Sequence, residues 1–402
     1  MKLRKRFYDS LISEHLRDQR QMALISGPRQ VGKTTVCRER CSGYLNWDNI
    51  DDRRLIMAGP GAVAQTLELD KLRSKVPVCL FDELHKFSRW KQFLKGFFDT
   101  YADQVRILIA GSSRMDVYRR GGDSLMGRYF LYRMHPFSVA EVVYQNLPDP
   151  TRLYRDPKKV SEADFTALWT HGGYPEPFLK RDMRFTRRWT NLRLQQFLRE
   201  DVRDMTQIHQ FDQLEVLVNV LMNRSSDQLV FSNLAKAIQI SNDTVRRWIS
   251  TLCMLHVGFL IRPWYKNVSR SLRKEPKWFL RDWSGIEDPG QRAETFVACH
   301  LLKAVQGWTD MGLGSFELGY LRDKDQREVD FVVIRDGLPW FLVEAKHAET
   351  KVGPALKYFQ NQLNVPYAFQ VVIEADAVDA DCFTNAHRPT VVPARTFLSQ
   401  LL

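Results

Sequence analysis

Within this 402-residue sequence the stretch "MALISGPRQVGKTT" spaces Gly27, Gly32, Lys33 and Thr34 as GxxxxGKT. A nucleoside triphosphate is a dense polyanion, and a loop that wraps it must use backbone N–H groups, so glycines stand where the chain approaches the phosphates closely. In this spacing Lys33 reaches the β and γ phosphates and the Thr34 hydroxyl ligates Mg²⁺. The helix that follows adds unpaired amides at its positive end. The residues expected to cradle the nucleotide are Gly27, Pro28, Arg29, Gln30, Val31, Gly32, Lys33, Thr34 and Thr35.

A second set completes the first. "VPVCLFDELHKF" is an apolar run of the kind a parallel sheet buries on both faces, and Asp82 and Glu83 fall at its carboxyl end. Asp82 is expected to hold Mg²⁺ through water, and Glu83 to polarise the attacking water. A third apolar run, "VRILIAGSSRM", ends in Gly111, Ser112 and Ser113, whose hydroxyls are placed to sense the γ phosphate, Ser112 first among them. Further on, "GGDSLMGRYFLYR" carries Arg120, Arg128 and Arg133. Hydrolysis gains when an arginine neutralises charge on the transferring phosphoryl group, and Arg128 is the candidate, although its spacing equally suits an ordinary surface arginine.

The third set lies near the C-terminus. In "REVDFVVIRDGLPWFLVEAKH" two alternating apolar runs form a hairpin around Asp336-Gly337. Asp330 sits on the first strand, while Glu344 and Lys346, two apart, share one face of the second. Upstream, "GQRAETFVACHLLKAV" is an amphipathic helix that carries Glu294. Carboxylates on neighbouring strands with a lysine are what metal-assisted phosphodiester cleavage requires. Asp330 and Glu344, with Glu294, are the expected Mg²⁺ ligands, and Lys346 orients or activates water. A charged pair inside an apolar strand is costly unless it is used, yet the same fold serves equally for binding alone.

These sets need elements to position them. The middle of the chain, "VFSNLAKAIQISNDTVRRWISTLCMLHVGFLIRPW", supplies a helix, a short turn capped by Ser241, a second helix and a strand after Gly258, which is a winged helix-turn-helix order. The second helix exposes Asn242, Thr244, Arg246 and Arg247 at its start. The stretch that follows adds Arg262, Lys266, Arg270, Arg273, Lys274 and Lys277 as a wing or phosphate-contacting edge. Such modules also serve as packing or protein-contact units, so DNA contact is an expectation here and base readout a weaker one.

Composition bounds the rest. A net charge of +12 favours a polyanionic partner or simply aids solubility. The six cysteines form no CxxC pair and are expected to be reduced thiols in a cytoplasmic protein. The basic start lacks the apolar stretch of a signal peptide, and no run approaches about 18 apolar residues, so no membrane role is expected. His300, His347 and His387 lack paired ligand spacing, and Trp283 and Trp340 read as core or interface residues.

The segments "RKRFYD…LISGPRQVGKTT", "LFDELHKFSRWKQFLKGFFD", "RILIAGSSRM" and "LMGRYFLYRMHPFSVAE", with "HGGYPEPFL" and "REDVRDM" beyond them, resemble bacterial and archaeal AAA+ family ATPases with a C-terminal region of unknown function of the DUF4143 type. The resemblance covers nearly the whole chain. It implies ATP and Mg²⁺ as cofactors, ATP hydrolysis, ring-like homo-oligomers and Arg128 acting on a neighbouring subunit. His85 stands where many relatives carry glutamine. The order of helix glutamate, strand aspartate, strand ExK and helix is similar to the PD-(D/E)xK nuclease family. The expected architecture is α/β: a P-loop ATPase over residues 1–145, a helical region over 146–278 with the winged helix at about 228–265, and a nuclease-like α/β domain over 279–402. Its expected function is ATP hydrolysis coupled to DNA engagement, with a metal-dependent nuclease site in the C-terminal domain; the alternative is an ATP-dependent switch or remodelling protein whose C-terminal domains bind protein or DNA partners without cleavage.

Overall fold

The computed structural model describes residues 4–111, 125–196, 211–265 and 275–402. They fall into two compact units, one of Met1–Pro136 with Tyr144–Leu147 and the other of Phe137–Val143 with Pro148–Leu402. The expected boundary at residue 278 does not separate two bodies, because the middle and C-terminal segments share one sheet.

In the first unit, strands β1 (Met22–Ser26), β2 (Gly43–Asn46), β3 (Val78–Asp82), β4 (Arg106–Ala110) and β5 (Tyr129–Arg133) form a parallel sheet in the order β2-β3-β4-β1-β5. Every residue of β1 is buried, which is what a strand covered on both faces demands. The helix Trp90–Tyr101 covers one face by burying Phe93, Leu94, Phe97 and Phe98, and the Phe81 ring meets Phe93 and Phe97 edge-on at 5.6 and 5.5 Å. Because β4 lies between β1 and β3, the loops that leave β1 and β3 open toward a shared crevice at the carboxyl edge, where parallel sheets bind ligands.

The second unit begins with helices, among them Glu162–His171, Phe211–Met222, Phe231–Ile238 and Asn242–Met254. Val245, Trp248, Ile249 and Leu252 line the buried face of the last of these, at the i, i+3, i+4, i+7 spacing of a helix stripe, and Leu234, Ala235 and Ile238 are buried on its partner. Strands β6 (Gly258–Pro263) and β7 (Lys277–Leu280) follow as an antiparallel pair. A Cβ at Gly258 would lie 2.4 Å from the Trp278 ring, so only glycine admits this close approach.

Beyond the 22-residue helix Pro289–Asp310 come β8 (Phe316–Arg322), β9 (Glu328–Arg335), β10 (Leu338–Lys346), the helix Pro354–Leu363, β11 (Tyr367–Val372) and β12 (Pro389–Pro393). The seven strands run β12-β11-β10-β9-β8-β6-β7. β9 is antiparallel to both β8 and β10, and β10, β11 and β12 are parallel. Asp336 and Gly337, at φ 50° and 83°, make the tight β9–β10 turn that positive dihedrals allow. The long helix buries Phe296, Val297, Leu301 and Trp308, and packs on β8 and β10.

Candidate functional site

The loop after β1 carries positive φ at Gly27 (149°), Gln30 (63°) and Gly32 (102°). A Cβ at Gly27 would sit 2.3 Å from the Met134 carbonyl oxygen, so the first glycine of the motif is sterically obligatory. The buried Lys33 amine turns back onto the loop and donates to the carbonyls of Gly27 (2.8 Å) and Pro28 (2.7 Å). Burial lowers its pKa to about 8, against the pull of Glu83 and Asp82. Arg29, Gln30 and Thr35 are exposed around the loop, and Val31 is buried beneath it.

Thr34 Oγ1 donates to Asp82 Oδ2 at 2.8 Å, and Tyr44 Oη donates to the same oxygen at 3.1 Å. Burial raises the Asp82 pKa, with these two donors and Lys33 opposing it. A hydroxyl and a carboxylate in mutual contact beside a lysine are the oxygen donors that Mg²⁺ takes, so the residues present fit a Mg²⁺–triphosphate. Glu83 follows in the left-handed region at φ 54°, a conformation that costs a non-glycine residue free energy and is common at active sites. Its carboxylate lies 3.7 Å from His85 Nε2 and 3.4 Å from Lys86 Nζ.

The sequence reading missed what holds this loop. Arg6 is 4% exposed and donates to the carbonyls of Val31 (2.9 Å) and His135 (2.7 Å), joining the loop to the segment after β5. Asp9 accepts from the Arg6 backbone N–H at 2.6 Å and pairs with Arg40 at 2.8 Å.

Other expected residues fall elsewhere. Arg128 stands at the start of β5, where its carbonyl accepts from Met22 N–H, so the sheet separates it from the loop at the far ends of the strands. Its guanidinium makes a bidentate pair with Asp99, at 2.7 and 3.0 Å. Gly111 follows β4 directly, whereas Ser112, Ser113 and Arg120 lie outside the described residues, as do Arg199–Met205 of the "REDVRDM" segment.

In the second unit Ser241 caps the helix Asn242–Met254 by accepting from Thr244 N–H, as its position in the sequence predicts. Asn242, Arg246 and Arg247 are exposed and Thr244 is half-buried; the Arg246 guanidinium lies over the Phe231 ring at 4.3 Å. Arg262 is exposed on β6, and Lys266, Arg270, Arg273 and Lys274 lie outside the described residues. Lys277 corrects the sequence reading. It is no phosphate-contacting wing residue, because its side chain is 6% exposed and turned into a cluster of acids.

That cluster contains the C-terminal residues singled out by spacing. Lys277 Nζ is 2.5 Å from Glu328 Oε1 and 3.8 Å from both Glu294 Oε2 and Asp330 Oδ1. Burial opposes the ammonium charge, but Asp330, Glu294 and Glu328 outweigh it and raise the Lys277 pKa. Burial, then repulsion from Asp330, pushes Glu294 up to about 8. Asp330 Oδ2 accepts from Ala345 N–H at 2.9 Å. Lys346 pairs with Glu344 Oε1 at 3.0 Å, while Glu344 Oε2 is buried with no hydrogen-bond partner. The Glu344 pKa is raised by burial and by Asp330. Among the described residues no group of three or more His, Cys, Asp or Glu side chains is arranged to hold a metal ion. Two of the residues expected to ligate Mg²⁺ here, Glu294 and Asp330, face the Lys277 ammonium.

A cleft of about 670 Å³ lies beside the cluster, lined in part by Trp264, Tyr265, Tyr320, Arg322, Lys324 and Phe359. Arg322 pairs with Glu328 at 2.9 Å, and the Lys277 amine is 5.6 Å from the Tyr320 ring centre, so the cleft and the acids share a wall. His300, by contrast, is structural. Burial lowers its pKa to about 3, and the neutral ring accepts from Val139 N–H and bonds to the Phe296 carbonyl.

Comparison with known proteins follows this division. Residues 19–143 match a family model described as an AAA domain, and 162–286 and 289–394 match two domains of unknown function, DUF8612 and DUF4143. Uncharacterized proteins of Mycobacterium bovis and Mycobacterium tuberculosis are each 23% identical over 344 residues, 79% of this chain and 69% of theirs. Among solved structures, PCH-2 of C. elegans matches at 16% identity and a TM-score of 0.24 over 33% of this chain and 42% of that one. The Aeropyrum pernix ORC1 protein in complex with DNA matches at 14% identity and a TM-score of 0.30 over 72% and 90%. Both scores are too low to bear on function. Among the described residues no helix is long and apolar enough to cross a membrane. With the sheet order and loop geometry, the family matches support an AAA+ ATPase domain followed by a C-terminal DUF4143 domain.

Proposed function

We propose that this chain binds ATP and hydrolyses it with Mg²⁺, and that its second unit engages DNA. The observation that carries the first part is the meeting of Lys33, Thr34 and Asp82 at the carboxyl edge of β1 and β3. Bound Mg²⁺ supplies charge neutralisation on the phosphates. Lys33 exchanges its two carbonyl contacts for phosphate oxygens, Thr34 and Asp82 orient the metal's ligand shell, and Glu83 holds the attacking water by hydrogen bond. Arg128 is assigned as the residue that completes the site of a neighbouring copy in a ring. Lys33→Ala should abolish ATP turnover, and unchanged turnover in that variant would sink the assignment.

For DNA, the supporting features are the exposed Asn242, Arg246 and Arg247 at the start of a capped helix and the net charge of +12. The aromatic and cationic cleft beside the acid cluster adds stacking faces of the kind that single strands use. A filter-binding salt series should show affinity falling steeply between low and moderate salt. A flat response would remove the polyanion reading.

The helix, three-stranded meander, helix and parallel strand that carry Glu294, Asp330, Glu344 and Lys346 support a nuclease-like unit. Lys277 favours the second reading, in which this unit binds and does not cut. Plasmid and oligonucleotide assays with Mg²⁺ or Mn²⁺, with and without ATP, should show no cleavage while ATP turnover is intact. Cleavage that is lost in Asp330→Ala and Lys346→Ala would establish a nuclease instead.

A further inference from the structure

Trp264 and Tyr265 follow β6 directly and are pinned beside β8. Trp264 N–H donates to the Tyr320 carbonyl at 2.7 Å, and Tyr265 Oη donates to the Arg322 carbonyl at 3.2 Å. Tyr320 is itself fixed, its hydroxyl donating to the Glu275 carbonyl at 2.7 Å and accepting from Gln228 Nε2 at 3.1 Å. With Phe359 and Leu363 of the helix Pro354–Leu363, these residues wall the cleft of about 670 Å³, a volume in the range of ligand pockets. Every wall belongs to the second unit. Trp264 is half-buried against the apolar cluster that includes Leu321 and Phe359, yet among the described residues its indole N–H has no acceptor and its ring no aromatic neighbour. We infer that the cleft takes an unpaired nucleobase, stacked on Trp264 and held at its edge by side-chain amides.

Charge does not select the occupant. Arg322 and Lys324 line the cleft together with Glu275 and Asp323, so a phosphate gains little net attraction there. What the cleft adds to its apolar floor is an aromatic face with a donor on its rim, and two amides. Gln228 gives an amide hydrogen to Tyr320 and keeps its carbonyl oxygen, and Gln362 is exposed with its amide unengaged among the described residues. A base has the complementary parts, a π face to stack and an edge that carries both donors and acceptors. In a duplex that edge is paired and both faces are covered by neighbouring bases, so only an unpaired base can enter.

The assignment rests on the DNA reading of this unit and narrows its target to unpaired bases. Full-length, nucleotide-free protein is titrated by fluorescence anisotropy with a labelled thymidine strand of about twelve nucleotides and with an abasic strand of equal length and charge. Wild type should bind the thymidine strand about tenfold more tightly, the scale of one base stacked on an aromatic side chain. Trp264→Ala should bring it down to the abasic affinity and leave the abasic strand unchanged, whereas Trp264→Phe, which keeps a ring, should retain most of the preference. Equal wild-type affinities for the two strands, or a preference that survives Trp264→Ala, would overturn the inference and leave the DNA reading standing. Calorimetry with thymidine monophosphate separates the sources of the base. Binding that Trp264→Ala abolishes, without any strand binding, would keep the base site and remove the DNA reading, and no binding of strand or mononucleotide would remove both. If Trp264→Ala does not fold, a thymidine strand carrying one photoreactive iodouracil is crosslinked to wild type and mapped by peptide mass spectrometry. A crosslink on Trp264 or Tyr265 upholds the site, and crosslinks confined to residues outside the cleft overturn it.

Discussion

Thr34 Oγ1 and Asp82 Oδ2 are 48 residues apart in sequence and 2.8 Å apart in space. Their contact joins the first helical turn after the loop to the end of β3 and closes one side of the crevice beside β4. Asp82→Asn keeps the shape and removes the charge. It should lower ATP turnover by at least about a hundredfold, the scale on which one preorganised electrostatic group acts, while nucleotide remains bound. Single-turnover hydrolysis alongside fluorescent-nucleotide binding checks both halves.

The Lys33 amine, lowered to about 8 by burial, gives ATP binding a pH signature. Bound phosphates need the ammonium, so above about pH 8 binding must take up a proton and affinity should fall by up to tenfold per pH unit. Lys33→Ala should flatten that slope. In nucleotide-free protein the sign for stability is opposite. Between about 8 and the ordinary 10.5 the unfolded chain holds more protons than the folded one, so this residue's contribution to stability rises with pH.

Arg128 and Asp99 can be tested as a pair. If the arginine serves a neighbouring copy, Arg128→Ala loses hydrolysis and keeps ATP binding, whereas Asp99→Ala leaves hydrolysis within about twofold because an exposed ion pair contributes little to stability. Mixing Arg128→Ala with Lys33→Ala chains should restore part of the turnover. Equal loss in Asp99→Ala would reduce Arg128 to a structural partner.

Arg247 and Lys277 should separate in a salt series of DNA binding. Arg247→Ala removes an exposed cation and should reduce the slope of log affinity against log salt by about 0.9. A folded Lys277→Met protein should leave that slope unchanged, because the lysine faces acids inside the unit.

Arg6→Ala should cost about 3 kcal/mol, since two buried carbonyls lose a charged donor, and should also weaken ATP binding although the residue precedes the loop by more than twenty positions. Thermal melts and nucleotide titration read the two effects. This arginine also marks where the sequence is silent. The loop, its lysine and the strand-end acids are legible because each is fixed by local spacing and by the period of an apolar run. Arg6 is not, because its partners are backbone carbonyls 25 and 129 residues away that any residue could provide. Lys277 misleads for a related reason. It follows a run of basic residues in the sequence, and only the pairing of β6 with β7 and with β8 turns it inward toward β9. Asp330, Glu344 and Lys346 were visible as charges in apolar strands, but the cation among the acids came from another part of the chain.

Strand β6 belongs to two structures at once, as the first strand after the helix pair Phe231–Ile238 and Asn242–Met254 and as a member of the seven-stranded sheet through Arg262–Gly319 and Pro263–Tyr320. A strand shared in this way is a bracket and not a hinge. Under the proposed DNA contact, nucleic acid gripped by Arg247 would be held at one constant offset from the Lys277 cluster, so the unit would act as a ruler.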